Sequence, residues 1–151
     1  MITAHYASFL AIHSLLRWFV LIAGIVAIAG SLLGIVNNLP FKPLGRILGL
    51  IYVSLLDTQF LVGVLLSIAS PIIHSFWVAP GTSMKVHDAR FFALEHTLLM
   101  VIALAIAHIG AARSRRCENT LKAYTIAASW YAISLLLILI GIPWLRPLLR
   151  L

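Results

Sequence analysis

Long apolar runs alternate with short polar breaks along the chain. The first run extends from about Phe9 to Val36, interrupted only by His13 and Arg17, and is uncharged from Trp18 to Val36. As a helix, a run of that length crosses about 30 Å of hydrocarbon. Asn37, Asn38, Pro40 and Pro43 end it. The second run covers about Gly45 to Ala69, with Asp57 near its middle. Pro71 stops it, because proline has no N–H for the helical ladder. The third, about Ala89 to Ala112, contains Glu95, His96 and His108, and the fourth, about Ala123 to Ile142, has no charged residue. This pattern predicts an all-α integral membrane four-helix bundle. It forms one domain over residues 1–151, with N- and C-termini on the same side.

The stretch from Ser70 to Asp88 reads as a long loop, and loops of this length often act as lids or caps. Its Ile72, Ile73, Phe76, Trp77 and Val78 place it in the headgroup layer, and Asp88 is the expected N-cap of the third helix. Trp18, Trp77, Trp130 and Trp144 read as interfacial aromatics.

Composition excludes a water-soluble domain. The chain is 62% hydrophobic and 10% charged, with a mean hydropathy of +1.07. Soluble proteins carry about 25% charged residues. The net charge of +7 collects mostly at the ends of the apolar runs, where it suits anionic headgroups. No basic run carries the interleaved aromatics that single-stranded nucleic acid requires, so the expected partner is the lipid bilayer and not nucleic acid. The single Cys117 excludes an internal disulfide, covalent c-type haem and a cysteine-held iron–sulfur cluster. Met1 to Leu10 lacks a basic n-region and a small-residue cleavage site, and reads as mature sequence entering the first helix.

The N-terminal side is termed side A and the opposite side B. Side B carries Lys42, Arg46, Arg113, Arg115, Arg116 and Lys122 in short loops; side A carries Lys85, Arg90, Arg146 and Arg150, with Arg17 just inside. Excess basic residues in short loops mark the cytoplasmic side. Side B is therefore expected in the cytoplasm and both termini outside.

Ionisable and polar residues within a membrane are costly and mark function by default. Here they are His13, Arg17, Asp57, Gln59, Glu95, His96 and His108. The first and third helices both start on side A. His13 lies about one turn into the first and His96 about two turns into the third, so the two imidazoles can share one level. Helix bundles build cofactor sites from such inward-facing side chains. Two imidazoles meeting across a bundle match the axial ligands of a six-coordinate haem b iron. Another metal, a quinone, or a structural hydrogen-bonding role stand as alternatives. Arg17, four residues after His13, and Arg90, at the side A end of the third helix, are candidates for pairing with haem propionates. Gly24 extends the His13–Arg17 face, and His96, Met100, Ala103 and Ala107 form a stripe that suits either a flat macrocycle or helix packing.

Glu95 points about 100° away from His96 and can orient another group, contact the long loop or face a proton path. His108, near side B, has no second histidine at its level; a bond to the fourth helix or to headgroups is expected. Asp57 can pair with a histidine or an arginine or carry protons. Asp57, Gln59, Glu95 and His108 together make up the candidate proton or quinone set. His5, His74 and His87 lie at or beyond the interface, in no recognised metal spacing.

Four segments carry a resemblance: His13-Ser-Leu-Leu-Arg17-Trp18, Arg90-Phe-Phe-Ala-Leu-Glu95-His96, Ala107-His108-Ile-Gly110 and Gly141-Ile-Pro-Trp144. The chain resembles, over nearly its whole length, small bacterial four-helix membrane proteins labelled cytochrome b-like. The resemblance implies a haem-carrying or respiratory-associated protein of the bacterial inner membrane, with His13 and His96 as the matching histidines. Quinone and further membrane subunits, or copies of the same chain, are the expected partners. A single histidine level departs from di-haem cytochromes b. A cofactor-free accessory subunit and a small proton-coupled transporter are the competing readings of the same residues.

Overall fold

The computed structural model describes residues 5–144. Arg146 and Arg150 lie outside the described residues. Four helices long and apolar enough to cross a membrane span Tyr6–Val36, Leu44–Ala69, His87–Arg116 and Thr120–Gly141. The chain is an all-α, multi-pass membrane protein. We label Tyr6–Val36 as α1 and Leu44–Ala69 as α2. The short helices Pro71–Val78, Pro80–Ser83 and His87–Arg90 are α3, α4 and α5. A π-helical turn, Phe91–Glu95, leads into α6 (His96–Arg116), and α7 (Thr120–Gly141) completes the bundle.

Each long helix packs against two neighbours in the cyclic order α1, α2, α6, α7, and the α2–α6 seam is the loosest of the four. The side B half is closed. Tyr52, Tyr124 and Tyr131 are fully buried there, and Ala27, Ala103, Ala107, Ala123 and Ala127 let the backbones approach. Buried hydroxyls are paired: Tyr52 OH lies 2.9 Å from Ser134 Oγ, which donates to the Ala103 carbonyl at 2.8 Å. Gly34 makes room for the Tyr124 ring, where an added Cβ would lie 2.3 Å from Cζ. Tyr124 in turn donates to the Pro40 carbonyl and packs edge-on against Phe41, fastening the α1–α2 turn to α7. In that turn Asn38 takes φ = 50°, a left-handed conformation that asparagine tolerates. At the other side B turn the Asn119 side chain accepts from Lys122 N and caps α7.

The structure revises several sequence expectations. The 70–88 stretch is largely helical: Ser70 caps α3 by accepting from Ile73 N. Phe76, Ala89 and Ala93 form a small second core beneath Ile72. Asp88 is not an N-cap, since the span begins at His87, one residue earlier, and Val86 precedes it. Gly24 does not line a macrocycle bed. It faces Tyr52 and Leu135, with an added Cβ 3.0 Å from each. Ala103 and Ala107 are likewise consumed by helix packing. Trp18 is partly buried and packs against the core.

Candidate functional site

The side A half of the bundle opens into a cavity of about 190 Å³, walled by α1, α2, α3, the π turn, α6 and the end of α7. His13, Arg17, Gln59, His96 and Met100 all line it. The His13 and His96 rings face one another across it, with centroids 6.4 Å apart and planes inclined at 73°. The antiparallel course of the bundle does bring these two residues, distant in sequence, to one level.

The π turn sets the aim of His96. A wide turn carries one extra residue and rotates the helix downstream of it. Thr97 Oγ1 donates to the Phe92 carbonyl at 3.0 Å, five residues back, as the wider turn allows. Glu95 thereby faces outward and His96 inward. His96 Nδ1 lies 2.8 Å from the carbonyl oxygen of Gly141, the last residue of α7. A carbonyl only accepts, so Nδ1 carries the proton, and in the neutral ring Nε2 keeps its lone pair. The final carbonyls of a helix have no partner within it, so α7 supplies this acceptor without loss to its own ladder.

His13 is held from α2. The Gln59 amide nitrogen donates to the His13 carbonyl at 3.0 Å and lies 3.2 Å from His13 Nε2. That carbonyl fixes which end of the amide is nitrogen, so Nε2 of His13 is the acceptor and Nδ1 bears the proton. His13 Nδ1 and Gln59 Oε1 are buried with no hydrogen-bond partner among the described residues. A buried polar atom left unpaired costs about 1–3 kcal/mol. Two such atoms at one cavity mark an unmet demand for a ligand. Gly63, one turn beyond Gln59, leaves room for the imidazole: an added Cβ would lie 3.2 Å from His13 Cε1. Gln59, Gly63 and Ser67 form a stripe at four-residue spacing along the cavity wall of α2. That spacing is readable in the sequence and was the available signal for Gly63.

The other candidates lie elsewhere. Arg90 is not on the cavity. Its Nε donates to Glu95 Oε1 at 2.7 Å and its Nη1 to the Met84 carbonyl, so both residues belong to the outer edge of the cap. Of the roles open to Glu95, orienting another group is the one observed: it holds Arg90, whose guanidinium reaches back to Met84 in the 70–88 stretch. His108 does not bond to the fourth helix. Its Nε2 lies 2.8 Å from Asp57 Oδ1, so Asp57 pairs with a histidine, on the outer face of the bundle.

No group of three or more His, Cys, Asp or Glu able to hold a metal exists among the described residues. Two imidazoles alone make a poor site for a bare ion. They suit a metal whose remaining positions are filled by a planar macrocycle. With metal–imidazole bonds of about 2 Å on each face, ring centroids about 6 Å apart are what such a ligand pair requires. The spacing of the two rings matches that of a haem b ligand pair, with His13 Nε2 held by the Gln59 amide. Comparison with protein-family models, with characterised proteins and with solved structures finds no match.

Proposed function

We propose that this protein is a membrane b-type cytochrome, an electron-transfer protein and not a stand-alone enzyme. The observation that carries the reading is the opposed pair His13 and His96 across a membrane-embedded cavity, 6.4 Å between centroids. His96, with Nδ1 committed to Gly141, would hold the iron through Nε2, and His13 would do so through its own Nε2 once the Gln59 amide yields it. The bond from His96 to Gly141 orients that imidazole and raises the basicity of its Nε2. Arg17, always charged, supplies the counter-charge for a propionate at the cavity wall. When bound, the haem iron supplies one-electron transfer, and the apolar helices hold it away from water. Quinol and the other subunits of a respiratory complex of the bacterial inner membrane are the proposed electron partners.

The test is a reduced-minus-oxidised absorption spectrum of the purified protein. A b-type band is expected in the wild type and none in a His13→Ala, His96→Ala double variant. A colourless wild type, or a band that survives both substitutions, overturns the proposal.

One observation favours a second reading. The unpartnered His13 N–H and the unpartnered Gln59 carbonyl are a donor and an acceptor at the same cavity. A quinol headgroup answers both, its hydroxyl oxygen accepting from His13 Nδ1 and its hydroxyl proton going to Gln59 Oε1. Colourless protein that binds a soluble quinone analogue, with binding lost in Gln59→Leu, would favour it.

A further inference from the structure

The His108–Asp57 pair sits where a monomer in lipid should not carry one. Both residues belong to membrane-spanning helices, Asp57 thirteen residues into α2 and His108 twelve residues past the start of α6. Their side chains bond at 2.8 Å, so they share one level, yet His108 is 50% exposed and Asp57 43%. Ionisable residues within a membrane almost always face the bundle interior or a watered cavity. This pair faces outward over the loosest seam, and neither residue lines the side A cavity. Leu50 and Leu61 on α2, and Val101 on α6, are exposed above and below it, so the surroundings are apolar.

We infer that the α2–α6 face is the contact between two copies of this chain, with the His108–Asp57 pair of one copy set against that of the other. The argument for a second copy is self-complementarity. As a net-neutral pair, with one proton between Nε2 and Oδ1 and a second on Nδ1, the patch presents one donor, His108 Nδ1, and one acceptor, Asp57 Oδ2. His108 Nδ1 and Asp57 Oδ2 make no further hydrogen bond among the described residues. Because both groups lie at one height, a two-fold axis along the membrane normal opposes each donor to the other copy's acceptor without vertical offset. Any other transmembrane partner would have to bring its own matched pair to that height. Ala105, one turn before His108 and exposed, gives the second backbone a close approach. The inference stands apart from the cofactor reading, since no residue is shared.

The test is cross-linking in native membranes. In a Cys117→Ser background, Leu61→Cys (65% exposed, one turn from Asp57) is expected to give a dimer with a short thiol cross-linker. Ile25→Cys on α1, 58% exposed, is the control and is expected to stay monomeric. Converting both Asp57 and His108 to Leu removes the polar pair without leaving an unpaired charge, and should lower the cross-linked fraction at least about tenfold. The exchange Asp57→His with His108→Asp should restore it. A wild type that is monomeric in nanodiscs, a cross-link only to a different protein, equal cross-linking at Ile25→Cys, or a double-Leu variant that still dimerises would each overturn the inference.

Discussion

His96 Nδ1 bonds the Gly141 carbonyl at 2.8 Å, joining the start of one transmembrane helix to the end of another. The bond depends on close contact between α6 and α7, and Gly141 permits that contact. A Cβ at this position would lie 2.5 Å from Met100 Cε and 3.5 Å from Leu99 Cβ. The nearer neighbour is the flexible end of a methionine that also lines the cavity. Gly141→Ala is therefore expected to fold, at a cost of about 1 kcal/mol, while pushing Met100 into the cavity. Thermal unfolding in detergent should show the small loss, and haem titration should show weaker binding. Gly141→Leu exceeds what Met100 can absorb; it should separate the helices and abolish binding.

Gln59 holds His13 differently, through an amide that donates to Nε2 itself. Gln59→Leu keeps the volume but removes both the amide donor and its unpaired carbonyl. The lost bonds and the removed unpaired atom act in opposite directions, so stability should change by less than about 1 kcal/mol. The His13 ring, however, loses the donor that occupies Nε2. The bond that competes with the iron is worth about 0.5–1.5 kcal/mol, so freeing the Nε2 lone pair should raise haem affinity about 2–10-fold. Titration of haem into cofactor-free protein, compared with wild type, checks this; unchanged affinity would remove Gln59 from the site.

Gly34 tests the closed half of the bundle. Its added Cβ would fall 2.3, 2.5 and 2.6 Å from three atoms of the Tyr124 ring. That ring is fully buried, held by Phe41 on one side and by its bond to Pro40 on the other. It cannot move aside as Met100 can. Gly34→Ala should cost about 1–3 kcal/mol in a denaturant titration. Adding Tyr124→Leu should recover part of the loss, giving a coupling that independent sites do not show.

These contrasts explain what the sequence revealed and what it concealed. The four spans were legible because hydrocarbon demands long uncharged runs, and the common level of His13 and His96 followed from counting crossings. Rotation about each helix axis was not legible. Gly24 and the Ala103–Ala107 stripe look identical in sequence whether they face a cofactor or a neighbouring helix, and here tyrosines fill the space. The π turn at Phe91–Glu95 has no signature in residue type, yet it determines that Glu95 meets Arg90 while His96 faces the cavity. Pairing of His108 with Asp57 depended on which faces of α2 and α6 turn toward one another, and two residues 51 apart carry no such information.

Cys117 offers a direct measurement of orientation. It is the only thiol in the chain, it lies between α6 and α7 on side B, and it is partly exposed. Around it stand Arg113, Arg115, Arg116 and Lys122, and the other side B turn adds Lys42 and Arg46. Arg113 packs over the Trp130 ring, 5.5 Å from its centroid. Basic residues in short loops are retained in the cytoplasm. A membrane-impermeant maleimide should therefore label Cys117 in inside-out vesicles and leave it unlabelled in right-side-out vesicles until they are opened. That outcome places the His13–His96 cavity beneath the outer surface, within reach of an electron partner on that side. Labelling from the outside would invert the protein and move the same cavity to the cytoplasmic face.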